Sequence, residues 1–149
     1  MKRVIGISLT LTVAAALLVL CPQKRIVPVA YAQSGCSVAT LTGNYGFNNP
    51  GFVTANHSVK GAEVPFASMG VAAFDGAGNV SGTYTLALKG EISSGNTFTG
   101  TYTVNSDCTG STTVTGAPSG NLVILGGGAE VFRIETTPGF TGTLDAKKQ

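Results

Sequence analysis

The sequence predicts an all-β protein: an antiparallel up-and-down barrel of about eight strands, tied by one disulfide. Three observations predict it. Apolar and polar residues alternate with a period of two through the clearest segments. The residues Gly-Thr-Tyr-Thr occur twice, at 82–85 and 100–103, and related Gly-x-Tyr or Gly-x-Leu tags recur along the chain. Clusters of Gly, Pro, Asn, Asp and Ser separate the apolar runs at short intervals.

The N-terminus is set apart from that domain. Lys2 and Arg3 precede an uncharged apolar run from Val4 to Leu20, and Ala30-Tyr31-Ala32 offers small residues where a signal peptidase reads. This is the pattern of a secretory signal over residues 1–32, and a single β-barrel domain is expected over 33–149. Lys24 and Arg25 between run and cleavage site leave a retained anchor as the alternative. Lipid attachment through Cys21 is disfavoured by bulky Leu20 before it. The chain is then expected to be secreted or periplasmic.

Without the signal, five basic residues (Lys60, Lys89, Arg133, Lys147, Lys148) face seven acidic ones, and the formal charge changes from +2 to −2. No basic stripe remains to track phosphates, so nucleic-acid binding is excluded as a reading. The bases are too scattered to hold a membrane surface after cleavage. Few charges with many Gly and Thr residues suit a secreted β domain rather than a helical one. Cys36 and Cys108 meet an oxidising compartment and are expected to pair, two free buried thiols being the alternative. The loop would close about 70 residues and contribute about 4 kcal/mol.

Along the chain, Gly43-Asn44-Tyr45 opens the domain. Asp75-Gly76-Ala77-Gly78-Asn79 reads as a tight hairpin between Val71–Phe74 and Val80–Leu88. In that second run Val80, Gly82, Tyr84, Leu86 and Leu88 share one face, and Ser81, Thr83, Thr85 and Ala87 the other. Lys89-Gly90 to Ser94-Gly95-Asn96 is the next turn. From Phe98 on, Gly100, Tyr102 and Val104 lie on the inner face, while Thr97, Thr99, Thr101 and Thr103 form a solvated one. Asp107 is expected to cap a turn that runs to Gly110, and Ala117–Gly120 makes another. Gly126-Gly127-Gly128 separates Leu122–Leu125 from Ala129–Ile134, and Thr137-Pro138-Gly139 precedes a last strand at Phe140–Leu144.

The tag glycines 82, 100, 120 and 142 are spaced by 18, 20 and 22 residues, and Gly61 fills the slot between 43 and 82. A step near 20 is two strands with their turns, so alternate strands are expected to begin alike. Inward glycine lets a strand curve and leaves room for a ring from a neighbour.

"GNYGF", "AAFDGAGNVSGTYT", "TGTYTVNSDCTG" and "AEVFRIETTPGFTGTLDAKKQ" in this order resemble a group of small exported bacterial proteins to which no activity attaches. Their pattern is similar to lipocalin-like and allene-oxide-cyclase-like barrels, which implies an antiparallel barrel with a lumen. The Gly-x-Trp opening of lipocalins is absent, since the chain has no tryptophan.

Candidate chemistry is sparse, and no cofactor is expected. His57, the one histidine, lies in "TANHSVKGAE", where an exposed loop residue is favoured over a catalytic base. No Gly-x-Ser-x-Gly, His-Glu-x-x-His, phosphate loop or Cys-x-x-Cys occurs, and no metal set is expected. "DGAGN" resembles a calcium loop, but Ala77 stands where an oxygen ligand is wanted. Three functional classes stay open: a binding barrel, a cofactor-free cyclase or isomerase of an apolar substrate, and a structural or cell-surface domain using its Thr-rich face. A binding barrel for a small hydrophobic molecule is favoured. Its lining would come from Phe66, Phe74, Phe98 and Phe132, with Tyr45, Tyr84 and Tyr102 adding hydroxyls; the alternative is that these residues only fill the core. Glu130 shares parity with Phe132 and Ile134 and faces the lumen near its mouth if they do. There an inward carboxylate would have a raised pKa and could bind or protonate a ligand, the alternative being a rim residue reaching water.

Overall fold

A computed structural model of the chain describes residues 35–54 and 62–149. The signal segment 1–32, His57 and Gly61 lie outside the described residues. Period-two alternation produces the expected barrel. After a single 3-10 turn at Val38–Thr40 come β1 (Thr42–Thr54), β2 (Glu63–Asp75), β3 (Asn79–Leu88) and β4 (Glu91–Val104). Then follow β5 (Thr109–Thr115), β6 (Gly120–Leu125), β7 (Glu130–Glu135) and β8 (Phe140–Lys148). Each strand pairs antiparallel with its sequence neighbours, and β1 pairs with β8 (Tyr45 opposite Lys148, Val53 opposite Phe140), so the sheet closes in order β1 to β8. Closure leaves no free edge.

The turns follow their chemistry. Asp75 Oδ1 accepts from the backbone N–H of Ala77 (2.8 Å) and Asn79 (2.9 Å), and its Oδ2 accepts from Asn79 Nδ2 (2.6 Å). The carboxylate of "DGAGN" thus works inside its own hairpin, and the Asn79 amide holds its pKa below the usual range. Asp107 caps the β4–β5 turn as expected, accepting from Thr109 N–H (3.0 Å) and its hydroxyl (2.6 Å).

One turn is shorter than the sequence suggested. Lys89 and Gly90, with φ of 55° and 84°, alone connect β3 to β4. Positive φ at both central positions is what a two-residue hairpin matching the strand twist requires. Ser94-Gly95 is instead a bulge inside β4: Tyr84 pairs with Asn96 and Leu86 with Ser93, and Gly95 sits at φ 73°. Gly82 and Gly100 therefore lie on adjacent strands, not alternate ones; the tags at Gly120 and Gly142 do fall on alternate strands, β6 and β8. The inward role of glycine holds. A Cβ at Gly82 would sit 2.5 Å from the ring of Phe98, so that ring needs a glycine beside it.

One end of the barrel is shut. Leu41 is fully buried there, and edge-to-face contacts join Tyr45 to Phe74 (5.2 Å) and Phe74 to Tyr102 (5.1 Å). The Tyr102 hydroxyl lies 2.9 Å from the carbonyls of both Val38 and Leu41, and Tyr45 donates to Gly128 O at 2.5 Å. Cys36 and Cys108 form the expected disulfide, which pins the plug segment to the β4–β5 turn across 72 residues. Replacing both cysteines with serine is expected to lower stability by about 4 kcal/mol, the loop-closure value. Urea unfolding of the oxidised protein and the double variant checks this, and coincident midpoints would refute it.

Candidate functional site

The other end of the barrel holds a cavity of about 400 Å³. Its mouth is framed by Gly116, Ala117 and Pro118 after β5 and by Thr137 before β8. Its walls are apolar: Phe66 from β2, Leu86 and Leu88 from β3, Phe98 from β4, Val114 from β5 and Phe140 from β8. Phe66 meets Phe140 edge to face (6.1 Å), and Phe98 meets Phe47 (6.2 Å) and Tyr84 (6.3 Å). The hydroxyl of Tyr84 donates to Gly116 O at 2.7 Å, tying β3 to the mouth. Phe47, Phe98, Val114, Arg133 and Leu144 also border a void of about 40 Å³ beneath, so this layer is the floor between cavity and plug.

The sequence-derived lining divides in three. Phe66, Tyr84 and Phe98 line the cavity. Tyr45, Phe74 and Tyr102 fill the closed end instead. Glu130 and Phe132 are corrected outright, because β7 presents its opposite face to the lumen. Phe132 is 42% and Ile134 57% exposed, while Val131 is 2% and Glu135 8%. Glu130 pairs on the outside with Lys147 (3.2 Å), a solvated ion pair of small worth.

The cause of the reversal is a polar string that the sequence reading missed. Arg133 Nη2 donates to Glu135 Oε1 at 2.7 Å, with 9% and 0% of the two side chains exposed. Arg133 Nη1 reaches Thr112 Oγ1 on β5 (3.2 Å), and Asn49 Nδ2 on β1 donates to Glu135 Oε1 (2.8 Å). Each reach crosses an intervening strand at a glycine. A Cβ at Gly120 of β6 would lie 2.8 Å from Arg133 Cγ, and one at Gly142 of β8 3.4 Å from Asn49 Oδ1. Three buried atoms of the string keep no hydrogen-bond partner among the described residues: Asn49 Oδ1, Arg133 Nε and Glu135 Oε2. Asn49 and Arg133 also line the cavity. Burial pushes the Glu135 carboxyl above its ordinary 4.5, and the Arg133 charge and Asn49 amide offset this only in part.

Two signals could have found these residues. Parity carried onward from the tags leads from Tyr45 to Phe47 and Asn49. In "VFRIE", two opposite charges two apart share a face with Val131, opposite to the face of Phe132 and Ile134.

Among the described residues no group of three or more His, Cys, Asp or Glu side chains comes together to hold a metal. No protein-family model matches the chain, and no curated protein is similar enough in sequence to lend it a function.

Two outcomes test the string. Glu135→Leu leaves the Arg133 charge buried without its carboxylate and is expected to cost about 3–5 kcal/mol, whereas Arg133→Met with Glu135→Leu should equal or exceed the native stability. Urea midpoints of the two variants read this, and equal losses in both would contradict it. The pH dependence has a definite sign. Folded Glu135 holds its proton more tightly than an unfolded glutamate, so its favourable contribution is full below 4.5 and is lost as pH rises through the raised folded value. The stability of the native protein relative to Glu135→Gln should therefore fall over that window, and a flat difference would count against a raised pKa.

Proposed function

We propose that the protein is an exported carrier or receptor barrel that binds one small, mostly apolar molecule in its lumen. The observation that carries this reading is the cavity of about 400 Å³, walled by aromatic and aliphatic side chains, with Gly116, Ala117, Pro118 and Thr137 at its rim. Ligand sites of this kind are concave, chiefly apolar and fitted with a few polar groups. An eight-stranded barrel has an interior wide enough for one such ligand.

Export is supported by the Cys36–Cys108 disulfide, which fits an extracellular or periplasmic compartment, together with the signal pattern at the N-terminus. No helix among the described residues is long and apolar enough to cross a membrane. Thr97, Thr99, Thr101 and Thr103 stand exposed on the outside of β4, a polar wall suited to water. Binding is favoured over proton-transfer catalysis because the described titratable lining residues are Tyr84 and Arg133, and both already serve the scaffold. The resemblance to small exported bacterial barrels agrees with this reading.

A neutral naphthylamine dye that brightens in apolar surroundings tests the reading by titration. The native protein should bind it, and Leu86→Trp, which fills the lumen, should weaken binding by about tenfold or more. Met69→Trp adds the same bulk to an outward residue that is 62% exposed and should leave the affinity unchanged. Absence of dye binding to the native protein, or equal affinity in Leu86→Trp, would overturn the proposal.

A further inference from the structure

Building on the lumen as a ligand site, we infer that its ligand carries an uncharged oxygen function, a carbonyl or a hydroxyl, at the end that enters first, where the Ser68 hydroxyl receives it. The argument starts from the polar side chains of the lining: Asn49, Ser68, Tyr84, Arg133 and Thr137. All but one are engaged elsewhere. Asn49 Nδ2 and Arg133 Nη2 donate to Glu135, and Arg133 Nη1 donates to Thr112. Their unmatched atoms, Asn49 Oδ1 and Arg133 Nε, lie sealed in the wall, out of a ligand's reach. Tyr84 donates to Gly116 O, and Thr137 Oγ1 accepts from the Ser119 N–H, both at the rim. Ser68 differs. It is 8% exposed, its side chain enters no hydrogen bond among the described residues, and its Oγ is not one of the sealed atoms. An inward hydroxyl that is neither bonded nor sealed faces the cavity itself.

The strand register fixes its depth. Ser68 pairs with Asn49 on β1 and Leu86 on β3, one inward position above Gly70, which pairs with Phe47 of the floor. Beside it the β1 wall runs from Asn49 to Val53, four residues or about 13 Å of strand, and ends next to Phe140. Along that length Phe66, Leu88, Phe140 and Pro118 offer only apolar surface. The free hydroxyl therefore stands at the inner end of an apolar chamber, and the orientation follows. A ligand oxygen placed at Ser68 gains a partner there, while its hydrocarbon body fills the walls toward the rim. An oxygen left at the rim stays in water and leaves Ser68 unmatched. A serine hydroxyl both donates and accepts, so a carbonyl or a hydroxyl matches it and a hydrocarbon end does not. A carboxylate is disfavoured at this depth. A buried ion needs a paired charge or several donors, and the Arg133 charge is already paired with Glu135 at 2.7 Å.

Displacement of the naphthylamine dye from the native protein and from Ser68→Ala reads this, with three probes of one chain length: a primary alcohol, a methyl ketone and a 1-alkene. The variant should bind the alcohol and the ketone about fivefold more weakly than the native protein does, the worth of one hydrogen bond. It should bind the alkene as tightly or more so. Loss for one of the two oxygen probes alone supports the inference and names the oxygen that the site takes. Thermal unfolding without ligand guards against a structural cause: Ser68→Ala should be at least as stable as the native protein, because it removes a hydroxyl without a protein partner. Ser81→Ala, exposed on the outer face of β3, should leave all three affinities unchanged. Equal weakening of all three probes in Ser68→Ala, no weakening of either oxygen probe, or a destabilised empty variant would overturn the head-group inference and leave the lumen as a ligand site. Failure of the dye and every probe to bind the native protein would remove the site itself.

Discussion

The interior of a closed eight-stranded barrel is a fixed volume, and every inward side chain takes its share from a neighbour. In this protein the inward glycines decide the division. Gly82 yields its space to the ring of Phe98, which becomes part of the cavity floor. Gly120 yields to the aliphatic stem of Arg133, and Gly142 lies open beside Asn49. With a side chain at Gly120, β7 could not reach β5 across β6, whereas a Cβ at Gly142 would meet Asn49 Oδ1 only at ordinary contact distance. The arm of the polar string from Arg133 to Thr112 depends on Gly120.

The two ends of the barrel solve the problem of buried polarity in opposite ways. At the closed end, tyrosine rings fill space and their hydroxyls land on carbonyls that no strand partner serves: Gly128 for Tyr45, and Val38 or Leu41 for Tyr102. Burial holds both hydroxyls above their usual pKa, so they remain neutral donors to these carbonyls. Near the cavity end the account is left incomplete, since Asn49, Arg133 and Glu135 each keep one atom without a partner among the described residues. A native interior matches nearly all such groups, so the contrast between the two ends is large. The asymmetry separates a plugged end from a cavity-bearing end within a single sheet.

How much of this was legible in the sequence varies by residue. The barrel, its strand count and the Cys36–Cys108 pair could be read because each rests on local pattern: alternation, turn residues, and two cysteines in an exported domain. The faces of β3 and β4 were legible for the same reason, with threonine marking the outside. Ser94-Gly95-Asn96 misled because a glycine with φ of 73° serves a bulge as well as a turn, and only the pairing partner distinguishes them. The face of β7 was hidden more deeply. Val131, Phe132 and Ile134 are apolar on both faces, so periodicity is silent there, and the usual preference sends charges outward. Inside the barrel, however, Arg133 and Glu135 satisfy one another and gain Thr112 and Asn49 from strands distant in sequence. Partners 21 and 86 residues away cannot be seen from a window around β7.

That exchange also bears on why a buried ion pair persists where apolar residues would serve the fold. Two charges taken out of water are seldom the most stable filling for a core, and a hydrophobic replacement of like volume is often as good or better. Their retention is easier to understand as specificity. A wholly apolar lumen of this size would accept any molecule of suitable shape, because one methylene more or less alters affinity only modestly. A polar group fixed in one wall of such a chamber makes its interior uneven, so that molecules of like shape and different polarity are no longer equivalent to it. The cost of desolvating Arg133 and Glu135 is borne by the fold in advance, through the hydrogen bonds to Thr112 and Asn49 and through Gly120, which leaves room for the Arg133 stem.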